Sequence, residues 1–351
     1  MIDSKNTLYV VSGELPVDFL KNYDRSSRPL VDFIYINTTY GIPGVGIEYS
    51  KSRSKRLHNI TKFALINNFI FAANLLLRQK SIKNYIVSSE DLGIPLAICA
   101  LLLRRRVNIV CQLHGFLFPA FYFKYLFALA LWYKRIWFGT LSESLRRILI
   151  ERYGARPDGC FNAAYGTDTI FFDESDSKPE AALISSAGAS HRDYATLAEA
   201  VKDLPCTVKI VAASLWTSYD ASKDIVPANC EIESHSNTVR LRELYRASTI
   251  VVVPLTDVDF STGYTSIGEM LAMGKPAIVT KTGAPPDFLI DGETVLFVRP
   301  HDPLDLKQKL ETLLNNEELR VKLGKRGASL MRERYTVEAF AEKLVAALPR
   351  T

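Results

Sequence analysis

The amino-acid sequence predicts an α/β protein of two doubly wound domains facing each other across a cleft. Strand-like runs alternate with helical ones along most of the chain, the pattern of parallel sheets with crossover helices. These runs fall into two sets separated by Asp173–Pro179, a polar stretch without apolar period. With 351 residues and 48% hydrophobic content, the chain is long enough and apolar enough for two cores.

In the first set, Thr7–Ser12, Asp32–Asn37, Tyr85–Ser88, Asn108–Leu113 and Trp137–Leu141 are expected as strands, being rich in Val, Ile and aromatics. Helices are expected between them, notably over Thr61–Gln79, Ile94–Arg105 and Glu143–Tyr153. The second set has strand patterns at Leu183–Ala187, Thr207–Ala212, Thr249–Pro254, Pro276–Thr280 and Val295–Val298. Asp305–Thr351 is helical, with Leu306, Leu310, Leu313 and Leu314 at helical spacing. The polar stretch is expected as a linker. It places one Rossmann-like domain at residues 1–175 and a second at 176–335, with 336–351 a helix packing back on the first. Ligands of such sheets bind beyond the carboxyl ends of the strands, at the switch point. Gly41-Ile-Pro-Gly44-Val-Gly46 imitates a dinucleotide loop, but no helix start follows directly. A turn, or a loop over the cleft, is expected there.

A charged fraction of 23% describes an ordinary globular chain, and the net charge of +5 is unevenly placed. Lys51, Arg53, Lys55 and Arg56, then Arg104–Arg106, then Lys134 and Arg135 cluster in the first half. Such clusters suit solvated loops as well as an anionic partner. They do not interleave with aromatics in a nucleic-acid module, so no nucleic acid is expected as a partner. Cys99, Cys111, Cys160, Cys206 and Cys230 are scattered, odd in number and form no CxxC pair. Buried free thiols in a reducing compartment are expected, with no metal site. The first residues lack the basic-then-apolar layout of a signal peptide. A cytoplasmic location is expected.

Phe116–Phe138 is crowded with aromatics and interrupted by Pro119, Lys124, Lys134 and Arg135. The lysine in mid-segment argues against a spanning helix. A helix lying on the inner membrane face, with aromatics inward and lysines snorkelling, is one reading. A core helix is the other.

The segment Gly263–Pro276 carries the chemistry. It follows a strand, passes through a glycine and enters a helix near Ser266. Backbone N–H groups and a helix dipole then converge on one point, an anion site suited to a diphosphate. Gly263 permits close backbone approach, and Tyr264, Thr265 and Ser266 follow it at the helix start. One turn into the helix, the Glu269 carboxylate can accept from the vicinal hydroxyls of a ribose. Ser266-Ile-Gly-Glu269 is also a capping box, which accounts for the same residues without a ligand.

Ser-Ile-Gly-Glu-Met-Leu-Ala-Met-Gly-Lys-Pro (Ser266–Pro276) resembles the donor-site signature of the family 4-type retaining glycosyltransferases, E-x7-E-A-M-A-x-G-K-P. Companion motifs follow in the family's order. His114-Gly115 ends a strand, Ser142–Leu145 is similar to the serine motif, and Gly166-Thr-Asp168-Thr169 with Phe172 is similar to a G-V-D-T-x-x-F turn. Gly188 to Leu197, including Arg192, resembles the phosphate-binding loop. Leu244–Ser248, Gly283 and Asp291-Gly292 complete the set. The resemblance covers about residues 108–340 and is thin before them.

It implies a GT-B fold and transfer, with retention, of a sugar from a nucleotide-sugar, UDP- ahead of GDP-, to a hydroxyl acceptor in membrane-associated glycan or glycolipid assembly. By the same resemblance His114 and Arg192 are catalytic. Gly188, Gly263, Tyr264, Thr265, Ser266, Glu269 and Lys275 hold the donor, with base contacts near Ser234–Asn237. No cofactor or metal is implied, and Asp257-Val-Asp259 is read as solvated charge rather than a metal motif. The chain departs from the signature at Ser261, where the family's first glutamate would stand, and Gly263-Tyr-Thr265 looks like a variant of that site. Ala189 replaces an arginine that many members carry. The missing carboxylate leaves an alternative, a nucleotide-sugar-binding subunit without catalysis.

Overall fold

The computed structural model describes residues 3–13, 15, 20–47, 64–115, 117–118, 120–174, 178–212, 227–233, 237–258, 260 and 262–349. The cluster Lys51–Arg56, Phe116, Pro119, residues 175–177 of the expected linker, Ser234–Ser236, Asp259 and Ser261 lie outside them. The chain divides into two units, residues 1–23, 31–165 and 338–351 in one and residues 24–30 and 166–337 in the other. Each carries a six-stranded parallel sheet with helices and is Rossmann-like.

The first unit has the strands β1 (Thr7–Val11), β2 (Gly44–Gly46), β3 (Asn84–Val87), β4 (Asn108–Leu113), β5 (Ile136–Thr140) and β6 (Cys160–Asn162), in the order β2-β1-β3-β4-β5-β6. Its helices are α1 (Asp32–Tyr40), α2 (Ala64–Arg78), α3 (Glu90–Leu102), α4 (Phe123–Ala130) and α5 (Glu143–Glu151). All six residues of β4 are buried, as a central parallel strand covered on both faces requires. The last helix of the chain, α11 (Val337–Ala346), also packs here: Phe340 meets Tyr165 and Glu342 accepts from the Tyr35 hydroxyl at 2.9 Å.

Two expectations fail in this unit. Asp32–Asn37 is not a strand but the start of α1: its β-branched and aromatic residues suggest a strand, yet Phe33, Ile34 and Ile36 bury one helical side. Gly41 ends the helix in the left-handed conformation, donating its N–H to the Asn37 carbonyl. Gly44–Gly46 is neither turn nor free loop but the edge strand β2, paired in parallel with β1 from Tyr9↔Gly44 to Val11↔Gly46. A side chain at Gly44 would collide with the Phe33 ring and one at Gly46 with the Gly13 carbonyl, so close packing explains these glycines.

The second unit has β7 (Leu183–Ala187), β8 (Thr207–Val211), β9 (Cys230–Glu233), β10 (Ile250–Val253), β11 (Ala277–Thr280) and β12 (Leu296–Val298), in the order β12-β11-β10-β7-β8-β9. Its helices are α6 (Tyr194–Val201), α7 (Thr238–Ala247), α8 (Tyr264–Ala272), α9 (Pro303–Asn315) and α10 (Glu317–Arg334). Strands β7 to β9 run outward on one side and β10 to β12 on the other, so the winding reverses between β7 and β10. The short strands β6 and β9 are not marked in the sequence; β9 is only half-buried and its alternation is weak. Among the described residues no helix is long and apolar enough to cross a membrane. All five cysteines are free thiols, four of them buried.

Candidate functional site at the switch point of the second sheet

The loops leaving β7 and β10 meet where the winding reverses. Thr256 donates its N–H to the His191 carbonyl and Asp193 to the Pro254 carbonyl, both at 3.0 Å. The β7 loop begins at Gly188 with φ +106°, a conformation that favours glycine, and a side chain there would strike the Arg192 guanidinium. Gly188 therefore makes room for Arg192.

Arg192 is fixed by its neighbours. Its Nε donates to the Ala187 carbonyl at 2.9 Å, Nη1 to the Ser190 carbonyl at 2.8 Å and Nη2 to the Ser266 hydroxyl at 2.7 Å. Three of the five N–H groups of the guanidinium thus hold protein oxygens. Burial lowers its pKa.

Helix α8 starts after Gly263, which adopts φ +75° and has no side-chain cap. Tyr264, Thr265 and Ser266 form the first turn, whose N–H groups have no carbonyl within the helix. The capping box of the sequence does not form. Ser266 donates instead to the Gly263 carbonyl and accepts from Arg192, and Glu269 does not reach back. The Glu269 side chain is buried, and among the described residues its carboxyl has neither hydrogen bond nor ion pair. Burial alone pushes its pKa up to about 8. Beside it the hydroxyl of fully buried Tyr245 also lacks a partner among the described residues. Buried polar groups are nearly always satisfied, so an orphan hydroxyl beside an unpaired carboxyl marks a place where a polar ligand fits.

Lys275 is placed elsewhere than expected. It lies before β11, at the amino edge of the sheet, opposite the switch-point loops. Its buried ammonium donates to the carbonyls of Arg246 and Ser248 at 2.8 and 3.2 Å, closing the end of α7. The same edge holds a groove of about 900 Å³ lined by Pro179, Thr249, Lys275 and Glu311 among others.

Residues that the sequence did not single out also build the site. Tyr194 donates to the Gly188 carbonyl, and the His191 ring stands edge-on to Phe260 at 5.0 Å. Burial, with Arg192 alongside, lowers the His191 pKa. Asp168, in the turn that opens this unit, is a structural anchor. It binds Arg25 through both oxygens and accepts from the N–H groups of Leu30, Ile170 and Phe171.

In the first unit the winding reverses between β1 and β3, and His114 stands at the end of β4 nearby. Its backbone N–H and that of Gly115 donate to the two oxygens of Glu90, each at 2.9 Å. Its Nε2 lies 3.0 Å from the Ser88 carbonyl, so the Nε2–H tautomer satisfies that contact. Glu90 is fully buried. Burial, with the Glu90 charge beside it, lifts the neighbouring Asp91 carboxyl to about 6. Among the described residues no three His, Cys, Asp or Glu side chains are grouped to hold a metal.

Residues 169–330 match the family model described as glycosyl transferases group 1. The chain is 30% identical over 135 residues to an uncharacterized glycosyltransferase of Methanocaldococcus jannaschii, covering 37% of each chain. It is 36% identical over 81 residues to the D-inositol 3-phosphate glycosyltransferase of Corynebacterium efficiens, 23% of this chain and 18% of that one. The matched parts thus span well under half the length of these relatives. Among solved structures, a Rickettsia africae glycosyltransferase superposes with TM-score 0.69 at 15% identity, over 98% of this chain and 99% of that one. Anabaena HepE in complex with UDP-glucose superposes with TM-score 0.70 at 12% identity, over 97% and 99%. At such identities the likeness shows the fold. Residues 169–330 are thus similar to the glycosyl transferases group 1, in a chain with the fold of the GT-B glycosyltransferases.

Proposed function

We propose that the protein is a retaining glycosyltransferase that moves a sugar from a UDP-sugar to a hydroxyl acceptor, in cytoplasmic assembly of a membrane-associated glycan or glycolipid. The observation that carries this reading is the buried, uncompensated Glu269 carboxyl one turn into α8, the helix whose Ser266 hydroxyl holds the Arg192 guanidinium. Glu269 accepts from the ribose hydroxyls, and the N–H groups of Tyr264, Thr265 and Ser266 meet the diphosphate. Arg192 adds a charge that needs no reorganisation when the diphosphate leaves. In the transfer the acceptor oxygen bonds to the anomeric carbon while the bond from that carbon to the phosphate oxygen breaks. The bonding pair stays on the diphosphate, and the acceptor proton is lost to it or to solvent. His114, held in place through Glu90, serves the acceptor and sugar side. UDP rather than GDP is supported by the HepE complex, a likeness of fold.

The test is incubation of the purified chain with a panel of UDP- and GDP-sugars, following nucleotide release with and without acceptor extract. UDP release, raised by acceptor and giving a product of retained anomeric configuration, is the expected result. Tight binding without release under every condition would leave the alternative of a binding subunit, which Ser261 motivates in the sequence.

A further inference from the structure

Helix α4 is apolar on two sides. Phe123, Phe127 and Ala130 are buried in the core of the first unit. Phe121, Tyr125, Leu129 and Trp132 recur at helical spacing on the opposite side and are exposed, Phe121 to 84% and Trp132 to 72%. The Tyr133 hydroxyl, at the end of this segment, accepts from the Val107 N–H and donates to the Arg105 carbonyl, which brings Leu102, Leu103 and Arg104–Arg106 alongside. Six of the thirteen exposed large hydrophobic residues among those described lie in these two short stretches. Single exposed apolar residues are ordinary, whereas a continuous stripe marks a contact surface.

The charge around the stripe selects the contact. From Leu92 to Ser142 the chain has no Asp or Glu, but has Arg104, Arg105, Arg106, Lys124, Lys134 and Arg135. None of these six forms an ion pair among the described residues. The Lys124 ammonium lies over the Tyr125 ring at 4.8 Å, its stem along the apolar stripe and its charge at the rim. An apolar stripe in a segment whose own charges are all basic is complementary to a bilayer of anionic headgroups and acyl chains.

We propose that the outer side of α4, with the Leu102–Arg106 loop, docks this chain on an anionic membrane, the aromatics entering the headgroup boundary and the six basic residues meeting lipid phosphate. This deepens the membrane part of the function proposed above and is independent of its chemistry.

Flotation of the full chain with phosphatidylcholine vesicles, and with vesicles in which half the lipid is phosphatidylglycerol, tests this. Binding is expected to the anionic vesicles alone and to weaken with salt. Phe121→Ser/Trp132→Ser is expected to lower the partition coefficient at least about tenfold. Lys124→Gln/Lys134→Gln/Arg135→Gln should lower it on the order of a hundredfold. Both variants change exposed residues and should keep the parent melting temperature. Equal binding to neutral vesicles, no binding to either, or undiminished binding by both variants overturns the proposal. So does a dimer, seen by sedimentation, that the aromatic variant abolishes, because the stripe is then covered by a second copy. UDP release from the same preparation without vesicles separates the two readings: intact release without flotation removes the docking surface only, and flotation without release removes the reaction only.

Discussion

The Arg192 guanidinium donates to the Ser266 hydroxyl at 2.7 Å, joining the loop after β7 to the first turn of α8. This bond, with those to Ala187 and Ser190, fixes a positive charge beside a helix N-terminus. Arg192→Ala is expected to lower kcat for UDP-sugar turnover by about 10²–10³ while weakening UDP binding much less. Steady-state kinetics and calorimetric UDP binding separate the two effects. Unchanged turnover would remove Arg192 from the reaction.

Glu269 makes the site pH-dependent. Its carboxyl sits at about 8 against an ordinary 4.5, so between these values the native chain holds a proton that the unfolded chain has lost. The stability contributed by the neutral form is full below about 4.5 and is lost as pH rises towards about 8. Glu269→Gln should lack this decline, measured as the urea midpoint across that range. Ribose hydroxyls donate to the charged form, so donor binding near neutral pH should release up to about one proton and tighten as pH rises. Calorimetry in buffers of different ionisation enthalpy reads that proton. A pH-independent affinity with no proton release would exclude the ribose role.

Glu90 positions His114 by accepting both the His114 and Gly115 N–H groups. Glu90→Gln keeps the volume but turns one acceptor into a donor facing an N–H. Displacement of a reacting group by about 1 Å costs on the order of a hundredfold in rate. A loss of that size in kcat, with the KM for the donor unchanged, is the expected signature. A rise in donor KM with intact kcat would instead place the effect at donor binding.

The fold was legible where a strand is central and buried: β4 and β10 fall on their apolar runs because both faces of a parallel strand demand Val and Ile. It was not legible at α1, where Phe33, Ile34 and Ile36 suit either a strand or a helix and only packing decides. Nor was it legible at β2, where glycines answer to Phe33 and Gly13, neighbours distant in sequence. At the site, Glu269 stood out by its place one turn into the helix after Gly263, and Arg192 through the resemblance of Gly188–Leu197 to a phosphate-binding loop. Tyr245 and Glu90 did not, because their importance lies in what they face rather than in a local pattern.

Lys275 shows the same limit from the other side. A signature position suggested a donor ligand, but its ammonium holds the Arg246 and Ser248 carbonyls at the opposite edge of the sheet. Lys275→Met should leave those carbonyls without a donor, at about 1–3 kcal/mol each. The expected result is a lowered melting temperature with nucleotide affinity close to that of the parent chain. Loss of affinity at full stability would return Lys275 to the donor site.

Gly268 separates packing from chemistry inside the signature itself. A side chain there would come within 2.2 Å of the Thr167 hydroxyl oxygen, with the Met331 methyl at 3.4 Å. Helix α8 can therefore sit where it does only if this position is bare. Gly268→Ala should shift α8 and destabilise the second unit by about 1–3 kcal/mol. Because Glu269 is the next residue, UDP affinity should fall with it. Gly268→Ala/Thr167→Ala removes the obstructing hydroxyl and should recover both stability and affinity, as chemical denaturation and calorimetry would show. Recovery of stability without affinity would mean that the glycine also serves the ligand directly.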